Sequence, residues 1–302
     1  MNAPATRAGR SWRVDAHQHF WQLADRVGEW PPASLAAIHR DFGPADLQPL
    51  RQRAGVDGTV LVQSLPTEQD THWMLSLADR HDFIWGVVGW TDMKAPDAAV
   101  RVAALARHPK LRGLRPMLQG LSPDDWIADT AVDPAAHAMV AHGLVFDALV
   151  LPRQLAALEV FARRHPDLPI VIDHGAKPLI ATGELEPWRT QMARLSALPQ
   201  VCCKLSGLLT EAGDRANAEA LRPFVAALLD LFGPQRLLWG SDWPVLCVAG
   251  GYQSWLDMSR GLLETLVPGL TDADHAAVFG GNAVQLYGLQ PVAPVAPLAP
   301  VV

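Results

Sequence analysis

Eight short runs rich in β-branched and aromatic residues recur along this chain, beginning at Arg13, Val56, Asp82, Leu111, Gly143, Leu168, Val201 and Arg236. They read RVDAHQHF, VDGTVLVQS, DFIWGVVGW, LRGLRPML, GLVFDALV, LPIVIDHG, VCCKLSG and RLLWGSDWP, and roughly 25 to 45 residues separate one start from the next. That interval has room for one helix after each strand. The runs are nearly continuously apolar, as strands buried on both faces of a parallel sheet are. Between them apolar residues return at the helical period. Leu221, Val225, Leu228, Leu229 and Phe232 form one stripe; Leu155, Leu158 and Ala162 form another after Pro152; Met74, Leu77 and Ala78 form a third in a helix from Thr71. Eight such units in 302 residues predict an α/β fold, a single-domain (β/α)8 TIM barrel over residues 13–289. Residues 1–12 and the Pro/Ala-rich tail 290–302 read as flexible extensions. The competing architecture, a doubly wound open sheet, lacks its G-x-G-x-x-G loop after the first run. A final helix within Thr271–Leu289 is expected to close the barrel.

The net charge of −6 argues against a nucleic-acid partner, whose binders carry a clustered basic face. No apolar run approaches the ~18 residues that span a bilayer, and the start, MNAPATRAGRS, has no apolar signal core. Cys202, Cys203 and Cys247 are too few and too irregular for a disulfide framework or a Cys-based zinc site. They read as small hydrophobes in a reducing cytoplasm. The expected partner is a small molecule, with no nucleic acid and no membrane. The Trp-bearing stretch VGEWPPAS suits a lid or a homo-oligomer interface.

A barrel of this kind carries its active site at the C-terminal ends of the strands. Polar residues that interrupt the apolar runs there are costly to bury unpaired, so they pair with one another or face a polar cavity. His17 and His19 share one face of the first strand, with Gln18 opposite. Alone, they suit equally a hydrogen-bonded pair and a site for a metal or a reacting carbonyl. Gln63, Trp90, Arg115, Asp147, His174, Lys204, Ser206 and Asp242 follow on the later strands. Arg112 and Arg115 are three apart and face opposite sides; Arg115 is expected inside. Asp147 is equally a site residue and a strand-end acceptor. Lys204 is expected at the barrel rim as a salt-bridge partner, and Asp173, opposite His174, is expected to pin a helix or loop. Ser241 is out of phase with Asp242, and no G-x-S-x-G elbow occurs, so a serine hydrolase is a poor reading. His39, His72, His81, His108, His137, His142, His165 and His275 read as surface residues.

With DAHQHFW, GVDGTVLVQS, GVVGW, RGLRPMLQ, DHGAKP, KLSGL, WGSDWPV and GNAVQLYGL in order from about Arg13 to Leu289, the chain resembles the amidohydrolase superfamily. More narrowly it resembles the lactonase branch, which acts on lactones of sugar acids and of a pyrone dicarboxylate. The resemblance implies a (β/α)8 barrel, hydrolysis of a lactone, and functional positions at His17, His19, Arg115, His174 and Asp242. It departs from two-metal members, which have a bridging Lys or Glu on strand four and a His on strand five; here those strands offer arginine and Asp147. A binuclear centre is therefore not expected. One optional divalent ion, zinc or manganese, would be held by His17, His19 and Asp242.

A lactone is an ester, easier to attack than an amide, so it needs a base for water and donors for the oxyanion more than it needs a Lewis acid. Asp242 is the expected base, Arg115 and the strand-one histidines the oxyanion donors, and His174 the group that orients water. Gln63, Trp90 and Asp147 are expected to grip the substrate. Two rival readings stand beside this one. They are a metal-dependent, non-hydrolytic decarboxylase on the same scaffold and a barrel that binds a sugar acid without turning it over.

Overall fold

Each β-rich run becomes a short strand: β1 (Val14–Gln18), β2 (Gly58–Val62), β3 (Ile84–Gly89), β4 (Leu111–Leu114), β5 (Val145–Ala148), β6 (Ile170–Ile172), β7 (Val201–Leu205) and β8 (Leu237–Trp239). In this computed structural model, which describes residues 11–26, 29–267 and 269–291, the strands lie parallel in sequence order. The seam between β8 and β1 closes just past the strand ends. Asp242 N–H donates to the His17 carbonyl at 2.8 Å, and His19 N–H donates to the Trp243 carbonyl at 2.7 Å. The sheet thus rolls into the expected barrel. Most of the two expected extensions, residues 1–10 and 292–302, lies outside the described residues.

Helices cover the outside: α1 (Pro44–Arg53), α2 (Glu68–Arg80), α3 (Ala98–Leu105), α4 (Asp133–Ala141), α5 (Leu155–Arg164), α6 (Trp188–Ser196), α7 (Ala218–Phe232) and α8 (Tyr252–Leu266). Leu221, Val225, Leu228, Leu229 and Phe232 of α7 are all buried, as are Met74, Leu77 and Ala78 of α2. None of the described helices is long and apolar enough to cross a membrane.

The last segment departs from expectation only in its continuity. It breaks into α9 (Asp272–Ala276), a π-turn and α10 (Asn282–Leu286). Ala283, Tyr287 and Leu289 pack against Trp85, Val60, Val145, Val171 and Leu238, inside the barrel. Among the described residues β8 and β1 share no strand ladder, and this segment lies across their seam as expected: Asn282 Nδ2 donates to the Leu237 carbonyl at 2.7 Å, Gly280 abuts the Trp12 carbonyl, and the apolar side chains that follow plug the N-terminal mouth. A shift of register between Asp15 and Gln18 marks a bulge in β1. Bulges re-aim side chains, and this one sends Asp15 outward to Ser241 and Tyr252 while His17 and His19 face the interior.

Candidate active site

At the open mouth, His19 Nδ1 lies 2.7 Å from the Val62 carbonyl. A carbonyl only accepts, so Nδ1 carries the proton and the Nε2 lone pair points into the cavity. That Nε2 is 3.1 Å from His17 Nε2 and 3.2 Å from Asp242 Oδ1, and His17 Nε2 is 3.8 Å from the same oxygen. Two glycines permit this crowding. A Cβ on Gly240 would stand 2.7 Å from His17 Cβ, and one on Gly207, which has φ +62°, would collide with the His174 ring. His174 Nδ1 bonds Ser206 Oγ at 2.9 Å, and its Nε2 is 3.8 Å from Asp242 Oδ1. His17, His19, His174 and Asp242 therefore converge, and Arg115 joins them through Nη1, 3.4 Å from His17 Nε2.

Beneath them lies a layer of buried charge. Lys204 Nζ is 2.6 Å from Asp147 Oδ2, 2.9 Å from Asp173 Oδ1 and 3.0 Å from His17 Nδ1. Arg115 Nη1 donates to Asp173 Oδ2 at 3.1 Å, and Tyr287 O–H donates to Asp147 Oδ2 at 2.8 Å. Several expectations are corrected here. Lys204 is a salt-bridge partner, but it is wholly buried inside the barrel and not at its rim. Asp173 also points inward. Strand alternation ends at Ile172, and His174 is left-handed (φ 54°), so the two neighbours serve one interior. Asp147 is locked under Lys204 and Tyr287 and does not reach the cavity. Gln63 is buried too: its amide donates to the Arg115 carbonyl at 2.7 Å, and Arg115 Nη2 donates back to the Gln63 carbonyl. It braces Arg115 and does not line the cavity. Trp90 is not a lining residue either; its backbone N–H and carbonyl bracket the Thr71 hydroxyl at 2.8 and 3.0 Å. Among the histidines read as surface residues, His165 is buried and bonds Asp133 at 2.9 Å.

Burial sets the protonation states. It pulls His17, beside Lys204, well below the ordinary imidazole value, and Asp173 only partly opposes it. It lowers His19 as well, against the Asp242 hydrogen bond, and brings His174 to about 4. Burial alone would raise Asp242, but His174, His19 and His17 outweigh it and hold the carboxyl well below its usual range. Asp173 is held low against burial by Lys204, His17 and Arg115. Burial and the neighbouring Asp173 raise Asp147 to about 6, with Lys204 opposing.

At neutral pH the His19 lone pair thus faces an ionised carboxylate 3.2 Å away. Two acceptors so placed repel unless a cation stands between them. The donor atoms of His17, His19 and Asp242 all lie within 4.8 Å of one another. Separations of 3.1 to 3.8 Å compare with the ~3.3 Å edges of a tetrahedron having zinc bonds of ~2.0–2.1 Å. These residues fit one divalent ion with three protein ligands and an open position. His17, Asp173 and His174 also cluster, but Asp173 is already engaged by Arg115 and Lys204.

Over this floor is a cavity of about 300 Å³. Its apolar lining comes from Trp30, Leu35 and Ile38 after β1, Met117 and Leu149 after β4 and β5, and Val245 and Val248 after β8; Gln119, Lys177, Thr210 and Glu211 add polar groups after β4, β6 and β7. Trp30 comes from the VGEWPPAS stretch, whose Val27 and Gly28 lie outside the described residues, and its loop is tied down by Arg26, which donates to the Trp30 carbonyl and to Ser64 Oγ. The wall residues were invisible to a period-based reading because they stand in loops. The one available signal was DHGAKP, which puts Lys177 three residues after His174.

The amidohydrolase family model matches residues 14–289. An L-fucono-1,5-lactonase of Burkholderia ambifaria is 54% identical over 280 residues, covering 92% of this chain and 96% of that protein. An L-fucono-1,5-lactonase of Burkholderia multivorans is 37% identical over 292 residues, with 92% and 96% covered. An amidohydrolase from Burkholderia multivorans, solved with zinc bound, matches with a TM-score of 0.85 at 36% identity, covering 92% of this chain and 100% of that one.

Proposed function

Since this chain belongs to the amidohydrolase family, we propose that it is a hydrolase that opens the ring of a sugar lactone, with L-fucono-1,5-lactone the substrate to test first. The observation that carries this reading is an ionised Asp242 facing a cavity whose floor also holds Arg115, His19 and His174. The names of two relatives, 54% and 37% identical, supply the substrate class. The cavity suits that class: a 6-deoxy sugar lactone has hydroxyls for its polar lining residues and a methyl group for its apolar ones.

Asp242 accepts a proton from water as the water oxygen attacks the lactone carbonyl carbon. Such assistance contributes ~10²–10⁴-fold. A carboxylate held this low is a weak base, which an activated ester tolerates. Negative charge gathers on the carbonyl oxygen, where the Arg115 guanidinium lies, and one well-placed donor lowers such a barrier by ~3–4 kcal/mol; His19, whose Nε2 lone pair faces the cavity, is not such a donor, contrary to the expectation for the strand-one histidines. The Gln63 backbone carbonyl and the Asp173 carboxylate accept from the guanidinium and keep it aimed. When the tetrahedral intermediate collapses, the ring C–O bond breaks and Asp242 returns its proton to the leaving alkoxide. His17, His19 and Asp242 would hold the divalent ion that fits here, zinc or manganese, which when bound polarises the carbonyl and acidifies water. A cytoplasmic location belongs to the same reading, and the buried, unpaired Cys203 thiol suits a reducing compartment.

The test is acid release, followed with a pH indicator, from a panel of sugar lactones and aromatic carboxylic acids, with and without a chelator. Hydrolysis of sugar lactones is expected. Binding of a sugar acid without acid release, or carbon dioxide release from an aromatic acid, would replace this reading with one of its rivals.

A further inference from the structure

The polar lining of the cavity contains a feature that the chemistry above does not use. Lys177 follows β6 and Glu211 follows β7, and both line the cavity. Lys177 Nζ lies 3.5 Å from Glu211 Oε1, with side chains 22% and 26% exposed. That separation is longer than the ~2.7–2.9 Å of a tight charge-assisted bond. An ammonium has three donors and a carboxylate about four acceptor sites, so each group keeps capacity to spare. Among the described residues neither side chain has another hydrogen-bond or ion-pair partner.

A second observation points the same way. Among the described residues four non-glycine positions have positive φ: His174, Ala176, Lys177 and Asp242. Three of the four line the cavity. Left-handed backbone is unfavourable for residues with a Cβ, and such outliers gather where a side chain must be presented to a ligand. Lys177, at φ 50°, is held in this way alongside the two residues of the floor. Stability does not account for the pair. A long, partly exposed ion pair contributes little, and burial raises the Glu211 carboxyl despite Lys177.

We propose that Lys177 and Glu211 together form a clamp for two adjacent hydroxyls of the lactone ring. The carboxylate accepts from one hydroxyl and the ammonium donates to the oxygen of the next. Because the pair has no net charge, it selects a neutral polyol over a dicarboxylate. This inference rests on the sugar-lactone reading.

Its test compares L-fucono-1,5-lactone with δ-valerolactone, which has the same six-membered ring without hydroxyls. Both are assayed with the wild type, Lys177→Met, Glu211→Gln and the double variant. For the sugar lactone each single variant is expected to lose at least tenfold in kcat/KM, chiefly through KM, and the double variant little more than the worse single. For δ-valerolactone kcat/KM is expected to change less than twofold. Equal losses on the two lactones would overturn the clamp and leave a structural pair; undiminished turnover of the sugar lactone would overturn it as well. The isosteric Glu211→Gln carries the test alone if Lys177→Met fails to fold. A wild type that hydrolyses neither lactone removes the parent reading, and the clamp with it, whereas failure of the clamp alone leaves wild-type hydrolysis intact.

Discussion

His174 lies close to Asp242 as an imidazole that resists protonation, and this has a measurable consequence. Burial lowers its pKa from the ordinary ~6.5 to about 4, and His17 and His19 are lowered too. The folded enzyme therefore takes up protons at these groups only at a pH below the ordinary histidine range. On the acid side kcat/KM should hold level through pH 6.5 and fall only toward pH 4. An inflection near 6.5 in the pH profile would contradict the buried, neutral imidazoles. Stability follows the same sign: an unfolded chain binds protons at these histidines first, so their contribution is complete above ~6.5 and erodes as the pH falls below it. At this scale the sequence was informative where polarity broke an apolar run. His17, His19, Arg115, His174 and Asp242 stood out for that reason, and the structure brings all five together. Asp173 and Lys204 were placed wrongly. Strand alternation does not extend past Ile172 to Asp173 and His174, and a lysine's partners on distant strands leave no local trace.

The elements themselves were legible because helices and strands have different apolar periods, and all eight strands fall within the runs marked from composition alone. The loops were not, since their side chains are aimed by local backbone conformation. The KLSG turn after β7 shows how little slack the site has. Gly207 combines φ +62° with a position where any Cβ meets the His174 ring. Gly207→Ala is expected to cost ~1–3 kcal/mol in stability through strain and overpacking. It should also lower kcat/KM at least tenfold by displacing His174. Urea unfolding and steady-state kinetics on one preparation check both; a variant with wild-type kinetics would show that the ring has room to move.

Across the whole molecule, the barrel interior is divided between apolar packing near the plugged mouth and a buried charge layer below the site. Asp147, Asp173, Lys204 and Arg115 compensate one another there. Removing one member leaves an uncompensated buried charge, so Lys204→Met should destabilise by ~3–5 kcal/mol. Adding Asp147→Asn should recover part of that loss; if the double variant is less stable still, the compensation argument fails. The fold as a whole was readable because eight βα units admit few arrangements, whereas the partners inside the barrel depend on which strands end up facing one another. The account finally depends on Asp242 as the ionised base of a lactone hydrolase. Its most direct measurement is acid release from L-fucono-1,5-lactone by the wild type and by Asp242→Asn, with circular dichroism confirming that both are folded. Rapid hydrolysis by the wild type and at least a hundredfold lower kcat in the variant is the expected result; a folded Asp242→Asn enzyme with near-normal kcat would contradict it.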